Sequence, residues 1–153
     1  MSYRCTRVFG ASPDRVYRAF TDPVDLRVWF PSGAPPGSEM TRCESDPVEG
    51  GRYHYVMVIP DHGPMAWHGT YTNVDRPRRI DAQEWFVMGE ADPTGPPAEQ
   101  SLTFEPTDDG FTLMTMDVRM PAPEDPETFV QQSAAGLSTS LAALDQLVSA
   151  PIA

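Results

Sequence analysis

The chain has 153 residues, a length for one domain with a buried core, and a formal net charge of −11 from 11 basic and 22 acidic residues, every basic one an Arg. That balance argues against a nucleic-acid partner, which needs a basic patch, and against an anionic membrane surface. No run reaches the roughly 18 apolar residues of a membrane helix, the N-terminal stretch has no apolar signal core, and Cys5 and Cys43 make no disulfide framework. The expectation is one cytoplasmic domain spanning 1–153, with both cysteines reduced and buried in strands.

Residues 2–9 alternate loosely and predict a first strand. Ser12-Pro13-Asp14 supplies a cap, a first-turn proline and a first-turn acid, so a short helix follows with Val16, Ala19 and Phe20 on one face. Asp22-Pro23 repeats the device and starts a second short helix carrying Leu26, Trp29 and Phe30, which Pro31 ends. Ser32 to Gly37 reads as a loop.

From Ser38 the pattern is strand after strand. Met40 to Glu44 is the second. Gly50-Gly51 turns into the third, Arg52 to Ile59, with Tyr53, Tyr55, Met57 and Ile59 on one face and Arg52, His54, Val56 and Val58 on the other. Met65 to Val74, Ile80 to Met88, Glu99 to Glu105 and Phe111 to Met120 continue the series, separated by turn signals at Asp61–Pro64, Arg76-Pro77 and Asp108-Asp109-Gly110.

Asp125 to Val148 is the one long helix. Asp125 can cap it and Pro126 suits its first position. Leu137, Leu141, Leu144 and Val148 make an apolar stripe at helical spacing, and Pro151 stops it. Its earlier half is rich in small residues, among them Ser133, Gly136 and Ser140. Such a helix can seal a core at its tail and roof a cavity near its head; plain close packing explains the small residues equally well.

The order is thus strand, two short helices, six strands, one long helix. Short turns between consecutive strands imply an antiparallel meander, and the long helix is the element large enough to cover one face. The fold class is α+β.

This order resembles the helix-grip fold of the START/SRPBCC superfamily, a curved antiparallel seven-stranded sheet wrapped on a long C-terminal helix. More narrowly it resembles the family named for the activator of heat-shock protein 90 ATPase, C-terminal domain. The resemblance covers nearly the whole chain. It rests on Ala11-Ser12-Pro13, Val16 to Pro23, Leu26 and Trp29, then Gly50-Gly51-Arg52-Tyr53, His68-Gly69-Thr70-Tyr71 and Pro77-Arg78-Arg79-Ile80, and last Gly136-Leu137 with Leu141 and Leu144. Leu137 stands where the family usually carries Trp. The resemblance implies a deep pocket between sheet and helix that relatives use for lipids, polyketides or other small apolar molecules; some relatives are cyclases and others bind chaperones.

Two sets of residues are candidates for function. The first is chemical: His54 and His68 on neighbouring strands, with Glu84 from the next, could form a metal or acid/base cluster, and Asp117 is a further candidate acid. An enzyme of the aromatase/cyclase or hydrolase type requires these groups to converge inside the cavity. The second set is a pocket lining. Tyr53, Tyr55 and Met57 are expected to point inward, as are Trp67 or His68, then Tyr71, and one face of Ile80 to Trp85; Glu84 and Trp85 are both candidates for the lining, and strand parity leaves the faces of Glu84 and Asp117 open. Met114 and Met116 come from the last strand, and Ser133, Gly136, Leu137 and Ser140 from the long helix. Indole N–H groups of Trp29, Trp67 or Trp85 could orient a ligand. Ordinary core is the competing reading for each aromatic and each methionine. The sequence reading favours a small apolar ligand, no cofactor or metal, no assigned catalysis, no chaperone interaction, and self-association to a homodimer.

Overall fold

A computed structural model describes residues 1–89, 91–121 and 126–149, and at 126 and 128–135 the backbone alone. β1 (Ser2–Phe9) is followed by α1 (Pro13–Thr21), α2 (Pro23–Trp29) and a 3₁₀ turn (Phe30–Gly33). Then come β2 (Glu39–Ser45), β3 (Arg52–Ile59), β4 (Gly63–Asp75), β5 (Arg79–Met88), β6 (Ala98–Pro106), β7 (Thr112–Arg119) and α3 (Pro126–Ser149). The strands form one antiparallel sheet in the order β1-β7-β6-β5-β4-β3-β2. The expected helix-grip topology is therefore the observed one. The expected cap at Asp125 and stop at Pro151 lie outside the described residues.

Local chemistry explains the short helices. Ser12 Oγ accepts from the Arg15 amide at 3.4 Å, and Asp22 Oδ1 from the Val24 amide at 2.9 Å, so each helix opens on a side-chain cap followed by proline. Asp25 is buried in α2 and takes Arg15 of α1 at 2.7 Å, with Arg18 at 3.8 Å. That pair locks the two helices against each other.

The dry core lies where α1, α2 and the later half of α3 meet β1, β6 and β7. Phe9, Phe20, Phe104 and Trp29 pack in tilted and edge-on contacts, and Leu141, Leu144 and Val148 of α3 join them. Trp29 belongs here: it is buried, and its indole N–H donates to the Ala19 carbonyl at 2.8 Å, so it orients no ligand. Met114 is likewise fully buried.

The 3₁₀ turn was expected as a helix stop and a loop. Instead it seats on α3. A Cβ at Gly33 would collide with the Gly136 carbonyl oxygen and stand 2.6 Å from Ser140 Oγ, and Ser140 donates to the Phe30 carbonyl at 3.3 Å. Gly33 is thus the residue that must lack a side chain, and Gly136 and Ser140 lie against this turn, which corrects their assignment to a ligand pocket. The Ser133 side chain lies outside the described residues. At Gly136 itself an added Cβ meets only the Gly33 oxygen, at an ordinary 3.5 Å.

Gly33→Ala and Gly136→Ala should therefore act oppositely in thermal or urea unfolding. Overpacking at Gly33 is expected to cost about 1–3 kcal/mol. Gly136→Ala is expected to be neutral or to stabilise by up to about 1 kcal/mol through helix propensity.

Candidate functional site

Strand parity assigns the two faces of the sheet. On β3, Tyr53, Tyr55, Met57 and Ile59 point to the helix side, as the alternation implied, and are buried. The register carries that side to Trp67, Gly69 and Tyr71 on β4, then to Ala82, Glu84 and Phe86 on β5. On β6 it continues to Gln100, Leu102 and Phe104, and on β7 to Thr112, Met114, Met116 and Val118. Tyr3 and Cys5 of β1 complete it.

Glu84 is the polar centre of this inner face. It stands opposite Gly69, which stands opposite Tyr53. The Tyr53 ring lies across Gly69, where any Cβ would collide with it, and its hydroxyl donates to Glu84 Oε1 at 2.8 Å. Gln100 Nε2 reaches Oε2 from the other side at 2.7 Å. Burial pushes the carboxyl pKa up to about 7, although both hydrogen bonds pull it down. Burial and the neighbouring carboxylate push the Tyr53 hydroxyl well above its ordinary value, so it remains a neutral donor. Glu84 retains some accessible surface even so, as do Gln100, Trp67, Tyr3 and Met116.

Aromatic and thioether groups surround it. The Tyr53 and Tyr55 rings stack at 5.0 Å, and Tyr71 lies 5.2 Å from Tyr53 with its hydroxyl 2.7 Å from Ser45 Oγ. Trp67 meets Phe30 at 5.1 Å and Phe86 at 5.2 Å. One step further along the strands, Met40, Met57, Met65 and Met88 stand in register across β2 to β5. Phe86 and Met88 are about half exposed, at 49% and 58%, so this end of the inner face is open. Leu137 of α3 is half-buried against the core.

Three candidate positions lie away from the inner face. His68 and Trp85 do not line the inner face; with Trp67 and Glu84 inward, parity turns their neighbours outward. There His68 stacks on His54 with ring centroids 4.2 Å apart, and the Trp85 indole donates to the Gly95 carbonyl at 3.0 Å. Asp117 also faces outward, paired with Arg4 at 2.6 Å. The cluster of His54, His68 and Glu84 therefore does not assemble, since the sheet separates the histidines from the carboxylate. Among the described residues no group of three acidic, histidine or cysteine side chains could hold a metal ion. Cys43 is buried and Cys5 half-buried, both as free thiols.

The sequence reading missed Gln100, Phe86 and Tyr3 at the site, and the reason for Gly69. A groove of about 620 Å³ on the outer face is lined by Arg4, Arg79, Asp81 and Asp117, whose charges pair with one another, Arg4 with Asp117 and Arg79 with Asp81.

The Glu84 pKa makes stability depend on pH. An unfolded glutamate titrates near 4.5 and the folded one near 7, so the native state holds the proton more tightly. The contribution is fully present below about 4.5 and is lost as pH rises through about 7, a change on the order of 3 kcal/mol. Glu84→Gln should flatten this part of the profile and stabilise the protein at pH 8, measured by urea unfolding from pH 5 to 8. Gly69→Ala should displace the Tyr53 ring, visible as altered near-ultraviolet circular dichroism with loss of stability.

A sequence model of the family described as "Activator of Hsp90 ATPase homolog 1-like protein" matches residues 10–149. No curated protein matches the chain significantly. Among solved structures, a protein from Chromobacterium violaceum is 27% identical with a TM-score of 0.78, covering 99% of both chains. One from Mycobacterium smegmatis is 24% identical with a TM-score of 0.80, covering 99% of this chain and 93% of its own. A Staphylococcus epidermidis protein, solved by NMR, is also 24% identical with a TM-score of 0.80, covering 96% and 88%. The helix-grip architecture they share is a pocket fold typical of small hydrophobic-ligand binders. No helix among the described residues is long and apolar enough to cross a membrane. By its sequence and its architecture, this chain belongs to the activator of Hsp90 ATPase homolog 1-like family.

Proposed function

We propose that the protein binds a small, mainly apolar molecule on the inner face of the sheet around Glu84, and that it does so without catalysing a reaction. The observation that carries this reading is Glu84: one carboxyl group, hydrogen-bonded by Tyr53 and Gln100, set in an otherwise apolar surface of which part is accessible. Apolar walls with a few converging polar groups are the usual composition of a ligand site. The methionine row and the exposed Phe86 supply adaptable contacts at the open end. The faces of the sheet support the non-catalytic part of this reading: His54, His68 and Asp117, the other candidate acid/base groups, project from the opposite side to Glu84.

The purified protein should retain lipids or aromatic compounds from a mixed panel in native mass spectrometry, with a change in tryptophan fluorescence from Trp67. Leu137→Trp, which puts bulk beside the inner face, should weaken retention at least tenfold while the protein stays folded. A protein that holds no member of the panel, or a variant that binds as well as the parent, would contradict the reading.

A further inference from the structure

We infer that the ligand at Glu84 is an apolar molecule carrying a single protonated amine, with the ammonium group seated between the carboxylate and the rings of the inner face. This rests on the binding reading above and specifies its ligand class.

Among the described residues, Glu84 has no charged partner. A buried carboxylate is ordinarily paired with a cation, because burying an isolated charge is costly. Glu84 has two neutral donors, one on each oxygen, and a lone pair left on each. Among the described residues no cation reaches it. α3 carries no basic residue anywhere along its length. Arg4, Arg79 and Arg119 project from the outer face, where His54 and His68 also stack. Arg7 is the inward arginine of β1, but it is turned to Asp145 at 3.6 Å and lies over the Phe9 ring, at the dry end of the core. The titratable groups that do face Glu84's surroundings are Tyr53 and Tyr55 of β3, Tyr71 of β4, and Tyr3 and Cys5 of β1, none of them cationic.

The surroundings suit an ammonium group as well. Aromatic faces attract cations, and Tyr53, Trp67, Phe86 and Tyr3 lie on the same side of the sheet as the carboxylate. A net charge of −11 concentrates cations near the protein. A carboxylate ligand would meet Glu84 as a like charge. A neutral alcohol would gain one hydrogen bond and leave the charge unpaired.

The test uses three probes of equal chain length: a phenylalkylamine, the matching phenylalkanol and the matching phenylalkanoate. Affinities are measured by calorimetry from pH 6 to 8 on the wild-type protein and on Glu84→Gln. A primary alkylamine stays protonated over this range, as lysine does, with a pKa of about 10. The amine should bind at least tenfold more tightly than the alcohol at pH 8. Its affinity should fall as pH drops below about 7 and Glu84 takes up a proton, while that of the alcohol should not. In Glu84→Gln the preference should vanish. The wild-type pH profile decides the matter even if the variant fails to fold. Equal binding of amine and alcohol, or a preference that survives in Glu84→Gln, overturns the amine assignment and leaves the binding reading intact. Failure of all three probes to bind overturns both.

Discussion

The geometry of the inner face depends on one crossing. The Tyr53 ring spans β4 over Gly69 and delivers its hydroxyl to Glu84 on β5. Three strands contribute one residue each, and only a glycine in the middle leaves room for the ring. The arrangement fixes the carboxylate's position by side-chain packing, not by charge, and so leaves its charge unanswered. A polar group held that way is stable only because Gln100 closes the other side. With both donors in place, burial still dominates the pKa.

The rest of the fold supports that crossing by dividing the space under α3. Toward its C-terminal end, Leu141, Leu144 and Val148 close a dry core with Phe9 and Phe104. At its middle, the 3₁₀ turn packs backbone to backbone against Gly136, which sets how near α2 and its neighbours come to the helix. Beyond that turn the inner face changes character: the side chains are Trp67, Phe86 and methionines, and burial gives way to exposure. The later half of α3 thus closes a solid core, while the far end of the inner face carries an exposed apolar surface.

The element order was legible because caps, prolines and alternation are local. Ser12-Pro13 and Asp22-Pro23 announce α1 and α2, and β3 alternates cleanly enough to place Tyr53, Tyr55 and Met57. The site was less legible because β5 inverts the usual rule. Glu84 points inward while Trp85 points outward, so hydrophobicity alone picks the wrong face. The same reversal applies to His68, whose neighbour Trp67 takes the inner position. Gly69 could be recognised as part of a motif, but its purpose depends on a ring from another strand. Nothing local in Phe30-Pro31-Ser32-Gly33 reveals that α3 packs against it, so the 3₁₀ turn reads as a loop, and the small residues of the helix fit a cavity roof as well as close packing.

This acidic chain therefore sets a carboxylate on an apolar face with two neutral donors and, among the described residues, no cation. The most direct measurement is the titration of that carboxyl group by carbon-13 NMR, with the Glu84 signal assigned by its loss in Glu84→Gln. A midpoint near 7 is expected from the burial of the group. A midpoint near 4.5, the value of a solvated glutamate, would contradict the enclosure on which the account rests.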